Sequence, residues 1–218
     1  VRPELQALRE RIERTLDDAR ADARAKRHAN RYRTARENVA DLVDEGSFVE
    51  YGSLAIAAQR RRRKVDDLIR NTPADGLISG VATVNAETFG ADAARCMVIS
   101  YDYTVLAGTQ GHMNHKKIDR MLGLAEQWRM PLVFYAEGGG GRPGDTDRLG
   151  MTGLDGPSFV QFARLSGLVP VIGVVSGYCF AGNAAMLGCC DVIIATRNAS
   201  IGMGGPAMIE GGGLGVYH

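Results

Sequence analysis

Apolar residues recur at Leu5, Leu8, Ile12 and Leu16, three to four positions apart, inside an Ala- and Arg-rich run that covers residues 3–45. That spacing gives a helix one apolar side and predicts a long helical N-terminal arm ended by Gly46. The stripe thins after Leu16, so the arm is expected to lie along a partner or along its own body rather than in the core. Residues 53–70 predict another helix or helical connector carrying the run "RRRRK" at positions 60–64. Past Pro73 the pattern changes. Residues 76–86 and 94–110 have the β-branched and apolar content of strands, with Asp102 as a hairpin point. Residues 112–129 return to helical periodicity, and residues 131–137 form a short apolar strand. A glycine cluster follows, then a helix over residues 156–168 and a strand, "VPVIGVVSG". Next come a small-residue elbow opening a helix, "CFAGNAA", and a strand, "DVIIA". Strands alternating with helices predict an α/β fold with a parallel core. The glycine-dense tail from residue 201 shows no helix or strand to close it. Residues 1–72 are taken as arm and connector and residues 73–218 as the α/β unit.

With 218 residues, 45% of them hydrophobic, the chain can bury a core. No apolar run approaches the roughly 18 residues of a membrane span, and the charged start is unlike a signal sequence. A soluble piece of something longer is expected. The net charge of +1 divides into +4 over residues 1–70 and −3 over the rest. Nucleic-acid binders show a stronger bias with interleaved aromatics, so that class is set aside. Cys96, Cys179, Cys189 and Cys190 lie in apolar surroundings without a CxxC spacing, which points to reduced core thiols in a cytoplasmic protein. His112 and His115 are three apart without a third ligand, so no metal site is expected.

Two glycine-rich turns, "EGGGGRPGD" (residues 137–145) and "CFAGNAA" (residues 179–185), each leave the carboxyl end of a strand, where open α/β sheets place ligands. Residues without bulky side chains let backbone amides approach a ligand closely, and amides at a helix start point outward. Two such turns face to face would make an oxyanion hole, worth about 3–4 kcal/mol per donor. Plain loops and a phosphate-binding loop are the alternatives. Against the second, no GxxxxGK[ST] occurs.

The segment "GYCFAGNAAMLGCCDVIIA" resembles the crotonase superfamily pattern G-Y-A-x-G-G-G-x-E-x-x-x-x-C-D-I-I-x-A. In its hydratases a catalytic glutamate follows the oxyanion glycine by three residues. Here, with Gly182 as that glycine, the position is Ala185. The chain is more similar to the β-type carboxyltransferase component of biotin-dependent acyl-CoA carboxylases. The blocks "LVDEGSFVEYGS", "DGLISGVATVNA", "GTQGHMNHKKIDRMLGLA", "PLVFYAEGGGGR", the elbow and "SIGMGGPAMIEG" occur in that family's order from about Asn38 to the end. Two departures stand out: "EGGGGR" for S-G-G-A-R, at Glu137 and Gly141, and "GYCFAGN" for G-P-x-A-G-G-A.

The resemblance implies a crotonase-like ββα spiral core, of which this chain is the N-terminal unit only, and an acyl-CoA substrate. Carboxybiotin gives up CO2 in the family's mechanism, the released biotin takes the α-proton, and the enolate attacks CO2. No protein acid or base is then needed, which agrees with Ala185. Gly140, Gly141, Ala181 and Gly182 become the catalytic backbone candidates. Gly139, Arg142, Cys179, Phe180, Lys116 and Lys117 become acyl-CoA-binding candidates, the two lysines toward CoA phosphates. No lysine lies between methionines, so biotin is expected on another domain or subunit. Biotin carboxylase and biotin carrier domains, a second carboxyltransferase unit and homo-oligomers are the implied partners. Another acyl-CoA enzyme of the same fold (a hydrolase or decarboxylase), a peptidase of that fold, or a non-catalytic CoA-binding module remains open. The elbow has no serine for the hydrolase reading.

Overall fold

The computed structural model describes residues 2–147 and 157–216. The arm is segmented: α1 (Pro3–Glu13), a 3-10 turn (Asp17–Arg20), α2 (Ala21–Ala29) and α3 (Ala35–Leu42). Leu16 is extended, and Arg31 has φ 60°, so no single helix runs through. A capping box then starts α3: Thr34 Oγ1 accepts from the Glu37 amide, and the Glu37 carboxylate accepts from the Thr34 amide. None of the α1 residues is buried, and Leu5, Leu8, Ile12 and Leu16 are exposed.

The arm is tied to the body by charge. Arg20 pairs with Asp102 and donates to Thr104, Arg27 pairs with Glu137, and Arg36 pairs with Glu50 and donates to the Thr15 carbonyl. Following it are β1 (Val49–Glu50) and α4 (Val65–Asn71). Residues 53–64 are turns, not the expected helix. Ile56, Ala57, Ala58 and Gln59 are buried in succession, a pattern that no amphipathic helix allows.

The body begins with β2 (Leu77–Thr83), α5 (Ala86–Phe89) and β3 (Arg95–Tyr101). β2 and β3 pair antiparallel, Leu77 opposite Tyr101 and Thr83 opposite Arg95, so the hairpin connection is residues 84–94. Asp102 is not a hairpin point. Its carboxylate accepts from the Thr104 amide and hydroxyl, which turns the chain away from the sheet. The remaining elements are α6 (His112–Trp128), β4 (Leu132–Tyr135), α7 (Pro157–Arg164), β5 (Val171–Val175), β6 (Tyr178–Phe180), α8 (Gly182–Leu187), β7 (Val192–Ala195), β8 (Ser200–Gly202) and α9 (Pro206–Gly211). Gly156, expected in the helix that is α7, lies outside the described residues. The tail holds β8 and α9, where no closing element was expected.

The main sheet has the order β1-β2-β3-β4-β5-β7, antiparallel through β3 and parallel from β3 onward. β6 and β8 form a separate parallel pair. Both faces of β3 are buried. Met97, Ile99 and Tyr101 join Ile118, Met121 and Leu122 of α6 and Phe134 of β4 in the larger core, while Cys96 and Val98 face Ala35 and Val39 of α3. Burial on both faces is why these strands read as near-continuous apolar runs. α6 packs on β2 and on α7.

Candidate active site

The first turn leaves β4 and is fixed by backbone bonds from three directions. Gly138 donates to the Tyr178 carbonyl at 2.8 Å and accepts from Phe180 at 2.9 Å, which stitches the turn to β6. Gly139 donates to the Ala107 carbonyl at 3.0 Å. The Gly140 carbonyl accepts from the Gln110 amide at 2.7 Å, and the Arg142 amide donates to the Gln110 carbonyl at 2.9 Å. Such a bridge turns Gly140 and Arg142 toward Gln110 and leaves the N–H between them, that of Gly141, facing the other way. Glycine is required at Gly138, because a Cβ there would run into the Asn183 side-chain amide and the Gly108 carbonyl.

The second turn joins β6 to α8 through Ala181, whose φ of 50° and ψ of −119° are strained for a residue with a Cβ. It lies against the first: a Cβ on Gly140 would come 2.6 Å from the Ala181 methyl and 3.6 Å from the Gly182 nitrogen. The turns that the sequence places far apart are therefore in contact.

Among the described residues the amides of Gly141 and Gly182 donate to no protein acceptor. The other two catalytic candidates are corrected. Gly140 spends its N–H on Asn183 Oδ1 at 3.0 Å, and Ala181 spends its own on the Gly202 carbonyl at 3.0 Å. A donor already engaged inside the protein has no hydrogen left for a substrate oxygen.

Several expected ligand contacts are structural instead. Arg142 is buried. Its guanidinium pairs with Asp75 and Asp145, and it donates to Thr109 Oγ1 at 3.2 Å and to the Thr109 carbonyl at 2.8 Å. Asp75 also accepts from the Asn114 amide at 2.7 Å. Burial pushes the Asp75 carboxyl up, and Arg142 pulls it back down. Lys117 is buried with its ammonium on the carbonyls of Ala74 and Leu77, and desolvation lowers it to about 8. A lysine held this way cannot meet a phosphate. Lys116, one residue earlier, is exposed.

Cys179 is fully buried, and its thiol is pushed up to about 12, so it neither lines a cleft nor serves as a nucleophile. His115 shares Ser158 Oγ with Asp119 and is lowered by burial. Among the described residues no three His, Cys, Asp or Glu side chains are grouped to hold a metal.

Two clefts flank the turns, and Tyr103 and Tyr178 line both. One, of about 390 Å³, is bounded by Gly139, Phe180, Ala181, Met203 and Met208 and is mainly apolar. The other, of about 510 Å³, is bounded by Lys26, Arg27, Asn30, Tyr32 and Glu137. At its floor Arg27 pairs with Glu137 and lies 4.6 Å from the Tyr32 ring centroid. Burial raises the Glu137 carboxyl to about 7 in spite of this partner. A further cavity, of about 530 Å³ beside Arg95, Trp128 and Arg129, lies at the opposite ends of β3 and β4.

The sequence missed Gln110 and Asn183, which lock the turns, and Arg27, which reaches them from the arm. Asn183 carried a signal, since it stands where the elbow pattern G-P-x-A-G-G-A has its final alanine. Gln110 and Arg27 carried none.

Residues 26–212 match the carboxyl transferase domain family. The chain is 35% identical over 159 residues to the propionyl-CoA carboxylase beta chain of Saccharopolyspora erythraea, covering 72% of this chain and 27% of that one. A single-chain, multi-domain long-chain acyl-CoA carboxylase of known structure is 65% identical with a TM-score of 0.93, over 100% of this chain and 22% of that one. The transcarboxylase 12S structure, a hexamer assembly with hydrolysed methylmalonyl-CoA bound, is 27% identical with a TM-score of 0.71, over 90% and 36% of the two chains. The chain spans between 27% and 34% of the length of the first curated relatives it matches.

Proposed function

The chain belongs to the carboxyl transferase domain family, and from that premise we propose that it forms the acyl-CoA half of a carboxyltransferase site in a biotin-dependent acyl-CoA carboxylase. The observation that carries this reading is the pair of unengaged amides, Gly141 and Gly182, on two turns in contact. A thioester is a weak carbon acid, and its enolate needs the developing oxygen charge held by fixed donors. Gly141 and Gly182 donate to that oxygen. The surrounding bonds to Gln110, Ala107, Asn183 and Gly202 hold both donors in place beforehand, so little reorganisation accompanies the reaction.

When bound, biotin supplies the CO2 and the base for the α-proton. Ala185 accordingly places no acid or base beside the turn. The apolar cleft at Phe180, Met203 and Met208 takes the acyl chain, and the cleft that carries the charged side chains Lys26 and Arg27 faces the CoA side. The 65%-identical structure, of a long-chain acyl-CoA carboxylase, supports a long acyl chain as substrate. Biotin carboxylase, biotin carrier and a second carboxyltransferase unit complete the activity, within a larger assembly and in the cytoplasm.

Gly182→Pro removes one donor at the first position of α8, where proline costs no helical hydrogen bond, and its ring displaces the Gln110 carboxamide that lies against Gly182. The assay uses a protein that carries this chain with the second unit and a biotinylated carrier. Carboxylation kcat, measured across acyl lengths, is expected to fall about 10²–10³-fold. Unchanged turnover would remove Gly182 from the mechanism, and no carboxylation of any acyl-CoA by the unsubstituted protein would remove the reading altogether.

A further inference from the structure

Asn183 follows one donor directly and reaches the residue that precedes the other. Its side chain is completely buried, accepts from the Gly140 amide through Oδ1 at 3.0 Å, and donates through Nδ2 toward the Gly108 carbonyl at 3.5 Å. Gln110 closes the opposite side. Its backbone holds Gly140 and Arg142, and its side chain lies against Gly182 with Nε2 3.6 Å from Met186 Sδ.

We propose that Asn183 is a positioning residue: its buried carboxamide cross-links the two glycine turns and sets the separation and aim of the Gly141 and Gly182 amides. This rests on the oxyanion reading above. Besides the backbone bonds of Gly138 to β6, the short path from one donor to the other runs through one side-chain hydrogen bond, from the Gly140 amide to Asn183 Oδ1, with one peptide unit at each end. Asn183 is completely buried, so it acts through the two amides rather than by touching a substrate. Loss of the carboxamide lets the first turn rotate about Gly140, whose φ of 84° lies in a region that glycine crosses freely. A backbone donor displaced by a fraction of an ångström weakens its hold on a developing charge far more than on a ground-state carbonyl.

The test is a direct measure of carbonyl polarisation. Propionyl-CoA and palmitoyl-CoA labelled with carbon-13 at the thioester carbonyl are bound to the protein that carries this chain with its second unit. The isotope-edited infrared band of the carbonyl is recorded for the unsubstituted protein and for Asn183→Leu, Asn183→Ala and Asn183→Asp, alongside kcat and KM. In the unsubstituted protein the band moves to lower frequency on binding. Asn183→Leu and Asn183→Ala, without an acceptor, lose at least half of that shift. Their kcat falls about 10²-fold while the KM for acyl-CoA stays within about threefold.

Asn183→Asp keeps the acceptor for the Gly140 amide and retains most of the shift. A full shift in Asn183→Leu overturns the proposal. Should that variant not fold, equal shifts in Asn183→Ala and Asn183→Asp overturn it instead. A band that does not move in the unsubstituted protein overturns the oxyanion reading itself, which separates the two failures.

Discussion

Arg142 shows how one side chain changes meaning between sequence and structure. By position it follows the glycine turn and suggests a substrate contact. By geometry it is the buried partner of Asp75, with side-chain exposures of 4% and 0%. Its remaining donors go to Thr109 and Asp145. The pair fixes the residue after Gly141 and so holds one end of the donor peptide. Removing the cation leaves Asp75 charged in a site that water does not reach, and breaking a buried pair from one side costs about 3–5 kcal/mol. Arg142→Met is therefore expected to lower the urea unfolding free energy of the chain by about that amount, and Arg142→Lys by less, since one ammonium replaces only part of the fork. A stability change under about 1 kcal/mol for Arg142→Met would return the residue to the list of substrate contacts.

At the scale of elements, two left-handed triplets support the site. Ala74, Asp75 and Gly76 have φ of 54°, 48° and 70°, and Leu106, Ala107 and Gly108 have φ of 48°, 56° and 62°. The second lies directly under the first glycine turn, with Ala107 accepting from Gly139 and a Cβ on Gly108 placed 2.7 Å from the Glu137 carbonyl. Gly108→Ala therefore meets two penalties: about 1–2 kcal/mol for the left-handed backbone and a shift of the turn above it. The expected outcome is a lower thermal midpoint together with a loss of about tenfold or more in carboxylation kcat; a lower midpoint with full kcat would show that the triplet supports the fold only.

The same elements show what the sequence could and could not display. The strands β4, β5 and β7 and the helix α6 were legible because burial and periodicity act within the element. The hairpin was misplaced because its true connection, residues 84–94, is long and contains α5, whereas Asp102 offered a stronger local turn signal. Both glycine turns were visible, but which amides remain free was not. That depends on Gln110, Asn183 and Gly202, which meet the turns only after folding.

For the whole molecule, the sheet has unequal edges. β1 is two residues long and blunt, while β7 ends the sheet with no strand on its far side among the described residues. Val192, Ile193 and Ile194 are 53%, 46% and 55% exposed there. An open apolar edge of this kind templates pairing with another chain unless something covers it. The chain spans about a third or less of the length of its curated relatives, and the proposed second carboxyltransferase unit would supply such a cover. The chain by itself is thus expected to self-associate at micromolar concentration in sedimentation velocity. Ile193→Lys, which places a charge on the open edge, shifts the distribution toward monomer without changing the circular dichroism of the fold. In a protein that includes the second unit, the same lysine is expected to be buried and to lower stability instead. An unsubstituted chain that sediments as a monomer across the concentration range would show that the β7 edge needs no partner.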